Sequence, residues 1–175
     1  MKPLRIGFIG YDGIQALDLI GPADAFTLAE IDDDQGKRQH GYEVVILAAS
    51  KKPFRSESGI HFQPHATFRN PPPLDTLIVP GGRGARTDRV AGPIAAWISN
   101  HARKVRRIAS VCTGIYPLAR TGLLDGRKVT THWRFAADLA GRFPKLKVEG
   151  NALFLKEGAF IPPAESPPAS ISPWR

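Results

Sequence analysis

Short apolar runs alternate along the chain with segments whose apolar residues recur every three or four positions. The short runs are typical of buried strands, and the longer spacing is typical of helices. The predicted strands cover residues 4–9, 43–48, 74–80 and 107–111, and the predicted helices cover residues 17–30 and 94–103. Strands that alternate with helices in this order predict an α/β fold with a mostly parallel sheet that helices cover on both faces.

Three segments depart from this alternation. Between Phe54 and Phe68 a polar pattern around Ser58-Gly59 predicts a small hairpin or loop excursion. Residues 70–73, Asn-Pro-Pro-Pro, predict a stiff extended connector before the third core strand. The last segment, residues 159–175, is rich in proline and serine and has no periodicity, so it predicts neither a helix nor a central strand. We therefore expect one domain over residues 1–158, followed by a disordered tail.

Composition narrows the class of protein. The 175 residues suffice for one domain with a sizeable core, and 42% of them are hydrophobic and 23% charged. No apolar run approaches the length of a membrane span, and the N-terminus lacks a signal peptide, so we expect a cytoplasmic protein that does not contact membranes. The net charge of +8 would suit a nucleic-acid partner if it were gathered on one face, but the basic clusters at residues 51–55 and 103–107 are typical of solvated surface. We expect no direct nucleic-acid binding.

The single cysteine, Cys112, lies between the apolar run RIASV and the helical pattern TGIYPLART. In a parallel sheet, ligands bind where strands lead into helix N-termini, and backbone N–H groups there favour a thiolate. The position therefore suggests an activated nucleophile. An ordinary buried cysteine is the alternative.

Three other features add to this candidate site. Gly81 and Gly82 end the preceding strand and would allow backbone amides to approach a ligand, or would simply form a turn. Asp18 lies in an otherwise apolar segment, where a carboxylate needs a partner or serves as a helix cap. His132 lies in the group Thr-Thr-His-Trp, residues 130–133, which begins another helical stretch. It is either a polar residue of the site or part of a helix cap that precedes a core tryptophan.

The segments LDLIGP, VPGG, SVCTG, GLLDGRKVTTHW and NALFLKEG resemble, in order and spacing, the ThiJ/PfpI superfamily, which is similar to class I glutamine amidotransferases. The resemblance covers about residues 4–158 and points to the branch of isonitrile hydratases and of amidase-like N-terminal domains of AraC-type regulators. It implies a flavodoxin-like three-layer sandwich with the cysteine in a strained nucleophile elbow.

The resemblance also implies roles for individual residues. Cys112 would be the nucleophile, Asp18 the acid/base partner, and Thr113 an amide and hydroxyl donor. Gly81 and Gly82 would help to form an anion site, in which the backbone N–H of Gly82 is a second hydrogen-bond donor. His132 would line the mouth of the pocket. Peptidase-like members carry histidine directly after the cysteine, where this chain has Thr113, so proteolysis is not expected. Neither a cofactor nor a metal is expected, because the five histidines are scattered.

Three functions are consistent with these features. The first is a small-molecule-sensing, amidase-like domain of an AraC-type regulator whose DNA-binding half is missing from this chain. The second is a free-standing cysteine-dependent isonitrile hydratase or amide-hydrolase-like enzyme. The third is a redox-responsive protective protein in which Cys112 is oxidised. The partners we expect are a small ligand or substrate and a second copy of the chain in a homodimer.

The C-terminus departs from the family pattern, in which a segment similar to TSGGVTAGIDL leads into a closing helix. Residues 159–172 can be encoded by a set of codons that gives HTSGGVTAGIDL when it is translated in a shifted reading frame. We therefore hypothesise a frameshift near Gly158 that removed the closing helix, with a genuine short variant as the alternative. Loss of that helix would expose apolar surface, so the product is expected to be poorly folded, aggregation-prone or dimerised.

Overall fold

A computed structural model describes residues 3–32, 35–150 and 152 of the chain. Strand β1, Leu4–Ile9, lies near the centre of a sheet of five strands within this part of the chain. Adjacent residues of β1 face opposite sides of the sheet, and both Phe8 and Ile9 are fully buried. Both faces of the sheet are therefore covered, as the continuous apolar run of β1 predicts.

The five strands pair in parallel in the order β7-β4-β1-β8-β9. In addition to β1, they are β4 (Tyr42–Ala48), β7 (Ala66–Thr67), β8 (Thr76–Val79) and β9 (Arg107–Ser110). The longest register pairs β1 with β4, from Leu4 opposite Tyr42 to Ile9 opposite Leu47. The predicted α/β fold with a mostly parallel sheet is confirmed, and its carboxyl edge holds the ends of β1, β8 and β9 side by side.

Four helices connect or flank these strands in the described part of the chain. They are α1 (Ala16–Leu28), α2 (Asp88–His101), α3 (Ile115–Arg120) and α4 (Ala136–Arg142). Helix α1 ends two residues before the predicted end, because Ala29 is extended and Glu30 begins a strand. Helix α2 begins six residues before its predicted start at Ile94, directly after the extended Thr87. Trp97 and Ile98 of α2 are buried, as predicted.

Three short strand pairs lie outside the main sheet. The predicted hairpin is confirmed, since β5 (Phe54–Arg55) pairs antiparallel with β6 (His61–Phe62). Sequence patterns did not indicate the other two pairs. These are β2 (Glu30–Asp32) with β3 (Arg38–His40), and β10 (Lys128–Val129) with β11 (Lys147–Val148). The predicted tail and the predicted loss of the closing helix lie outside the described residues.

Candidate functional site around Cys112

Cys112 occupies a sharp turn directly after the carboxyl end of β9. Its φ of 53° is the one positive φ of a non-glycine residue in residues 3–32, 35–150 and 152. A non-glycine residue in this region costs about 1–3 kcal/mol, so the surrounding bonds must hold it there. The chain continues into a 3₁₀ helix, Cys112–Gly114, and then into α3. The strained turn predicted from the resemblance is therefore present, and the thiol is half-buried at the sheet edge.

Asp18 lies in the first turn of α1 and directs its carboxylate toward Cys112. Its Oδ2 accepts a hydrogen bond of 3.0 Å from the backbone N–H of Gly81, and its carboxylate also hydrogen-bonds the Cys112 side chain. Helix α1 has no side-chain cap at its first residue, so Asp18 does not serve as the cap that was the alternative interpretation. The carboxylate links the helix to the thiol and to the loop after β8.

The two glycines after β8 are closely surrounded. A Cβ on Gly81 would lie 2.6 Å from Oδ2 of Asp18 and 2.9 Å from Cβ of Cys112, which leaves no room for a side chain. Gly82 has a φ of 138°, which disfavours other residues. The sequence therefore has glycine at both positions because of close contact and backbone conformation.

The amides of these glycines are already engaged within the fold, and the role of Gly82 as an amide donor to a ligand stays a prediction. The N–H of Gly82 donates to Oγ1 of Thr113 over 2.8 Å, and the Thr113 hydroxyl lies 3.1 Å from the Gly82 carbonyl oxygen as a donor. The N–H of Gly81 is bound to Asp18. An anion beside Cys112 would have to displace one of these intramolecular bonds to use either amide.

Thr113 is nearly completely buried, with 2% of its surface exposed. Its backbone N–H donates to the Cys112 sulfur, and its hydroxyl can give its single hydrogen either to that sulfur or to the Gly82 carbonyl oxygen. Both contacts with the sulfur favour the thiolate. The hydroxyl also joins the turn of Cys112 to Gly82. Thr113 therefore holds together the two loops that form the site.

His132 lies close enough to Asp18 for its charge to lower the pKa of the Asp18 carboxyl. This is the smallest of the effects on that pKa, and burial, the largest, raises it. The Nδ1 of His132 accepts a bond of 3.3 Å from the N–H of Arg134, so His132 begins a 3₁₀ helix. The preceding residue, Thr131, donates its hydroxyl to the Cys112 carbonyl oxygen over 3.0 Å. Trp133 is 75% exposed and stacks on His132, so it is not a core residue.

The site raises the pKa of its acidic groups. Burial raises the pKa of the Cys112 thiol, and the Asp18 charge raises it further, while the bonds from Thr113 lower it. Burial likewise raises the pKa of Asp18 against the opposing bonds from Gly81 and Cys112. The position before a helix predicted the opposite direction for the thiol. At Cys112, burial and the neighbouring carboxylate outweigh the hydrogen bonds from Thr113, and the role of the thiol as a nucleophile stays a prediction.

Two further residues contribute to the site and were not identified from the sequence. Tyr11 is buried and donates its hydroxyl to the Pro80 carbonyl oxygen over 2.6 Å, and burial, followed by the charges of Asp18 and Cys112, raises its pKa well above the ordinary value. Glu57 lies in the turn of the β5–β6 hairpin and accepts a hydrogen bond from the Arg83 N–H. The position of Tyr11 after β1 could have indicated it, but nothing local indicates that the hairpin reaches the site.

The described part of the chain contains no group of three histidine, cysteine, aspartate or glutamate side chains that could hold a metal ion. In the same part of the chain, no helix is long and apolar enough to cross a membrane.

Comparison with known proteins identifies relatives of two kinds. An isonitrile hydratase of Pseudomonas putida is 36% identical over 132 residues, which cover 75% of this chain and 54% of that protein. The HTH-type transcriptional regulator ArgR of Pseudomonas aeruginosa is 47% identical over 156 residues, which cover 87% of this chain and 44% of the regulator. The chain thus spans about half the length of both proteins. A protein of the cpoL 5′ region of Streptomyces lividans is 36% identical over 142 residues, covering 81% of this chain and 96% of that protein.

Solved structures agree with the fold and the family. A ThiJ/PfpI family protein from Pseudomonas syringae superposes with a TM-score of 0.67 at 31% identity, covering 85% of this chain and 58% of that one. An AraC family transcriptional regulator from Pseudomonas putida superposes with a TM-score of 0.60 at 20% identity, covering 84% and 76%, which shows a shared fold. The sequence pattern of the DJ-1/PfpI family matches residues 4–158. With its flavodoxin-like sheet and its cysteine on a strained turn, this chain belongs to the DJ-1/PfpI family.

Proposed function

We propose that this chain is a small-molecule-sensing domain of the kind found in AraC-type transcriptional regulators. The observation that carries the proposal is that the hydrogen bonds of the site are satisfied internally. Gly81 donates to Asp18, Gly82 donates to Thr113, and burial raises the pKa of the Cys112 thiol. A protonated thiol without free amide donors suits reversible binding better than nucleophilic attack. The 47% identity to ArgR supports the same assignment.

In this function Cys112, Asp18 and His132 contact the ligand without forming a covalent intermediate. The half-buried Asp18 carboxyl and Cys112 sulfur supply hydrogen-bond acceptors, the sulfur being the weaker one. Both suit a small nitrogenous molecule that bears N–H groups. Gly81 and Gly82 contribute by their lack of side chains, which lets the loop lie against Cys112.

Thermal melting of the purified chain with a panel of amines, amides and amino acids tests the proposal. We expect at least one compound to raise the melting temperature, as a ligand that binds only the folded state must. Cys112→Ser should preserve that stabilisation, and the compound should be recovered unchanged. Consumption of the compound by the native chain but not by Cys112→Ser would contradict the sensor function.

The second candidate function is a cysteine-dependent isonitrile hydratase, and the strained φ of Cys112 favours it. The sulfur would attack the terminal carbon of R–N≡C, with Asp18 delivering the thiol proton to that carbon. Water would then add to the resulting thioimidate and release the N-substituted formamide and the thiol. Cyclohexyl isocyanide is the probe. Formation of cyclohexylformamide that Cys112→Ser abolishes would establish this function, and no product is expected if the chain is a sensor.

We also propose that the chain acts in the cytoplasm as a homodimer. Leu17 and Leu28 of α1 are 73% and 78% exposed, and leucine side chains in contact with water favour association. Light scattering after size exclusion should give twice the mass of the chain, and a monomer at all concentrations would contradict the proposal.

Cell fractionation should recover the chain with cytoplasmic proteins, and recovery with the membranes would contradict the assigned compartment.

A further inference from the structure

A cluster of charged side chains joins three helices on one side of the described fold. We call it the arginine cluster. Its members are Arg86, which ends a 3₁₀ helix, Asp88 of α2, Arg120 of α3, and Asp138 and Arg142 of α4. The guanidinium groups of Arg120 and Arg142 pair with the two carboxylates, so the charge of the third arginine is in excess.

Both carboxylates of the arginine cluster are already paired. Oδ1 of Asp88 accepts from the Arg120 guanidinium and lies 3.5 Å from Nη2 of Arg142. Oδ2 of Asp138 accepts the Tyr116 hydroxyl over 2.5 Å and lies 3.9 Å from Nη1 of Arg142. The excess charge therefore belongs to the remaining arginine.

That arginine is Arg86, which has no ion pair with any residue in 3–32, 35–150 and 152. Its Nε is buried without a hydrogen-bond acceptor. Its guanidinium carbon lies 4.1 Å from the centroid of the Phe135 ring. Its backbone is bonded at both groups, since the N–H donates to the Arg83 carbonyl oxygen over 3.2 Å and the carbonyl oxygen accepts from Nη1 of Arg142 over 3.0 Å. A buried charged donor without an acceptor is unfavourable, so this side chain is held ready for a partner.

We propose that Arg86 anchors a binding site for a small molecule that bears one carboxylate. A guanidinium presents a planar edge of N–H donors that matches the two oxygens of a carboxylate, and its stacking on Phe135 fixes that plane. One excess positive charge matches a monoanion. The second charge of a dianion such as sulfate would have no counter-charge at this site.

The carboxylate site adjoins the candidate site around Cys112. The N–H of Phe135 donates to the carbonyl oxygen of His132 over 2.8 Å, and the two rings are 5.8 Å apart. One ligand could contact His132 with one end and Arg86 with the other. The carboxylate site does not depend on the chemistry of the thiol and is tested separately from it.

The test is a titration of the ¹⁵N-labelled chain with sodium acetate, against sodium chloride at equal ionic strength, followed by NMR of the arginine Nε–H groups. We expect a saturable shift of one Nε–H signal, assigned to Arg86 by its absence in Arg86→Lys. In that variant the dissociation constant for acetate, followed through the Phe135 amide signal, should rise about tenfold, because lysine lacks the bidentate edge. The matched control is Arg89→Lys, at an exposed position of α2, which should bind acetate like the native chain.

Further variants separate the carboxylate site from its alternatives. Phe135→Leu should weaken acetate binding about two- to fivefold through loss of the ring. Saturable acetate binding at Arg86 would stand even if no amine, amide or amino acid raises the melting temperature, so the two proposals fail separately. The proposal is overturned if the shift does not saturate, if Arg86→Lys binds acetate equally well, or if sulfate binds more tightly than acetate. It is also overturned if acetate shifts the Arg86 signal only after Glu157→Gln or Glu165→Gln, because an internal carboxylate would then be the partner.

Discussion

The backbone N–H of Gly81 donates to Oδ2 of Asp18 over 3.0 Å across 63 positions of sequence. This bond fixes the start of α1 against the loop after β8, next to the turn of Cys112. A carboxylate that is half-buried is stabilised when an amide donates to it, so the bond holds Asp18 against the cost of burial. The geometry of the site depends on this contact, and the following predictions test it.

Gly81→Ala should destabilise the fold by about 1–3 kcal/mol, because the added Cβ would lie 2.7 Å from the Thr113 backbone nitrogen. Urea unfolding measures the change in the free energy of unfolding. The matched control is Gly141→Ala in α4, where nothing lies within 4 Å of the new Cβ. That variant should gain about 0.5–1 kcal/mol, because alanine favours a helix more than glycine does. Equal effects of the two substitutions would show that Gly81 is not tightly enclosed.

Asp18→Asn should lower the pKa of the Cys112 thiol. Burial, the largest cause of the raised pKa, remains, but the charge of Asp18 and the bond that the thiol donates to it are lost. The ultraviolet absorbance of the thiolate as a function of pH, with the rate of iodoacetamide labelling, measures the pKa. Asp24→Asn, at an exposed position of the same helix, should leave that pKa unchanged. A thiol pKa that rises in Asp18→Asn would contradict the assigned contact.

The raised pKa of Asp18 predicts how its contribution to stability varies with pH. The folded state binds the Asp18 proton more tightly than the unfolded state, whose pKa is near 3.8. Between that value and the raised pKa the folded state holds more protons, so the free energy of unfolding falls as pH rises through this window. Urea unfolding at several pH values should show the native chain losing stability relative to Asp18→Asn as pH increases. A relative gain would mean that the pKa of Asp18 is lowered instead.

Thr113→Val should cost about 1–3 kcal/mol, although valine has nearly the same shape. The substitution leaves the Gly82 N–H buried without its acceptor at 2.8 Å. Thr27→Val is the control, because its hydroxyl bonds the Ala23 carbonyl oxygen on the exposed side of α1, where a change within about 0.5 kcal/mol is expected. Chemical unfolding of both variants provides the comparison. A Thr113→Val variant as stable as the control would show that water replaces the hydroxyl.

Much of the fold could be predicted from the sequence, because its central strands are continuous apolar runs. The bounds of β1 were predicted to the residue, since residues 6–9 are apolar and buried on both faces and Gly10 follows them. The pair of β10 and β11 was not predicted, because two residues carry no periodicity and their pairing depends on segments 19 positions apart. The start of α2 was missed because it opens with two exposed polar residues, Asp88 and Arg89.

The residues of the candidate site were named from the sequence, but the hydrogen bonds among them were not predicted. Cys112, Asp18, Thr113 and the glycines could be identified because motif and position each indicated them. Asp18, Gly81 and Cys112 do meet at the carboxyl edge of the sheet. Sequence could not predict that Gly82 would donate to Thr113 rather than remain free, because that depends on how two loops are packed. Glu57 was missed since its position depends on how a hairpin is oriented.

The sequence by itself determined the parallel sheet, the position of Cys112 at a strand-to-helix junction and the residue types of the site. These follow from local hydrophobicity, turn chemistry and motif. Only the tertiary structure decided which amides are engaged, that the pKa of the thiol is raised, and that Nε of Arg86 is buried without an acceptor among the residues described. Each of these depends on burial and on charges brought together from distant segments, and electrostatic energy depends on distance in space rather than along the chain.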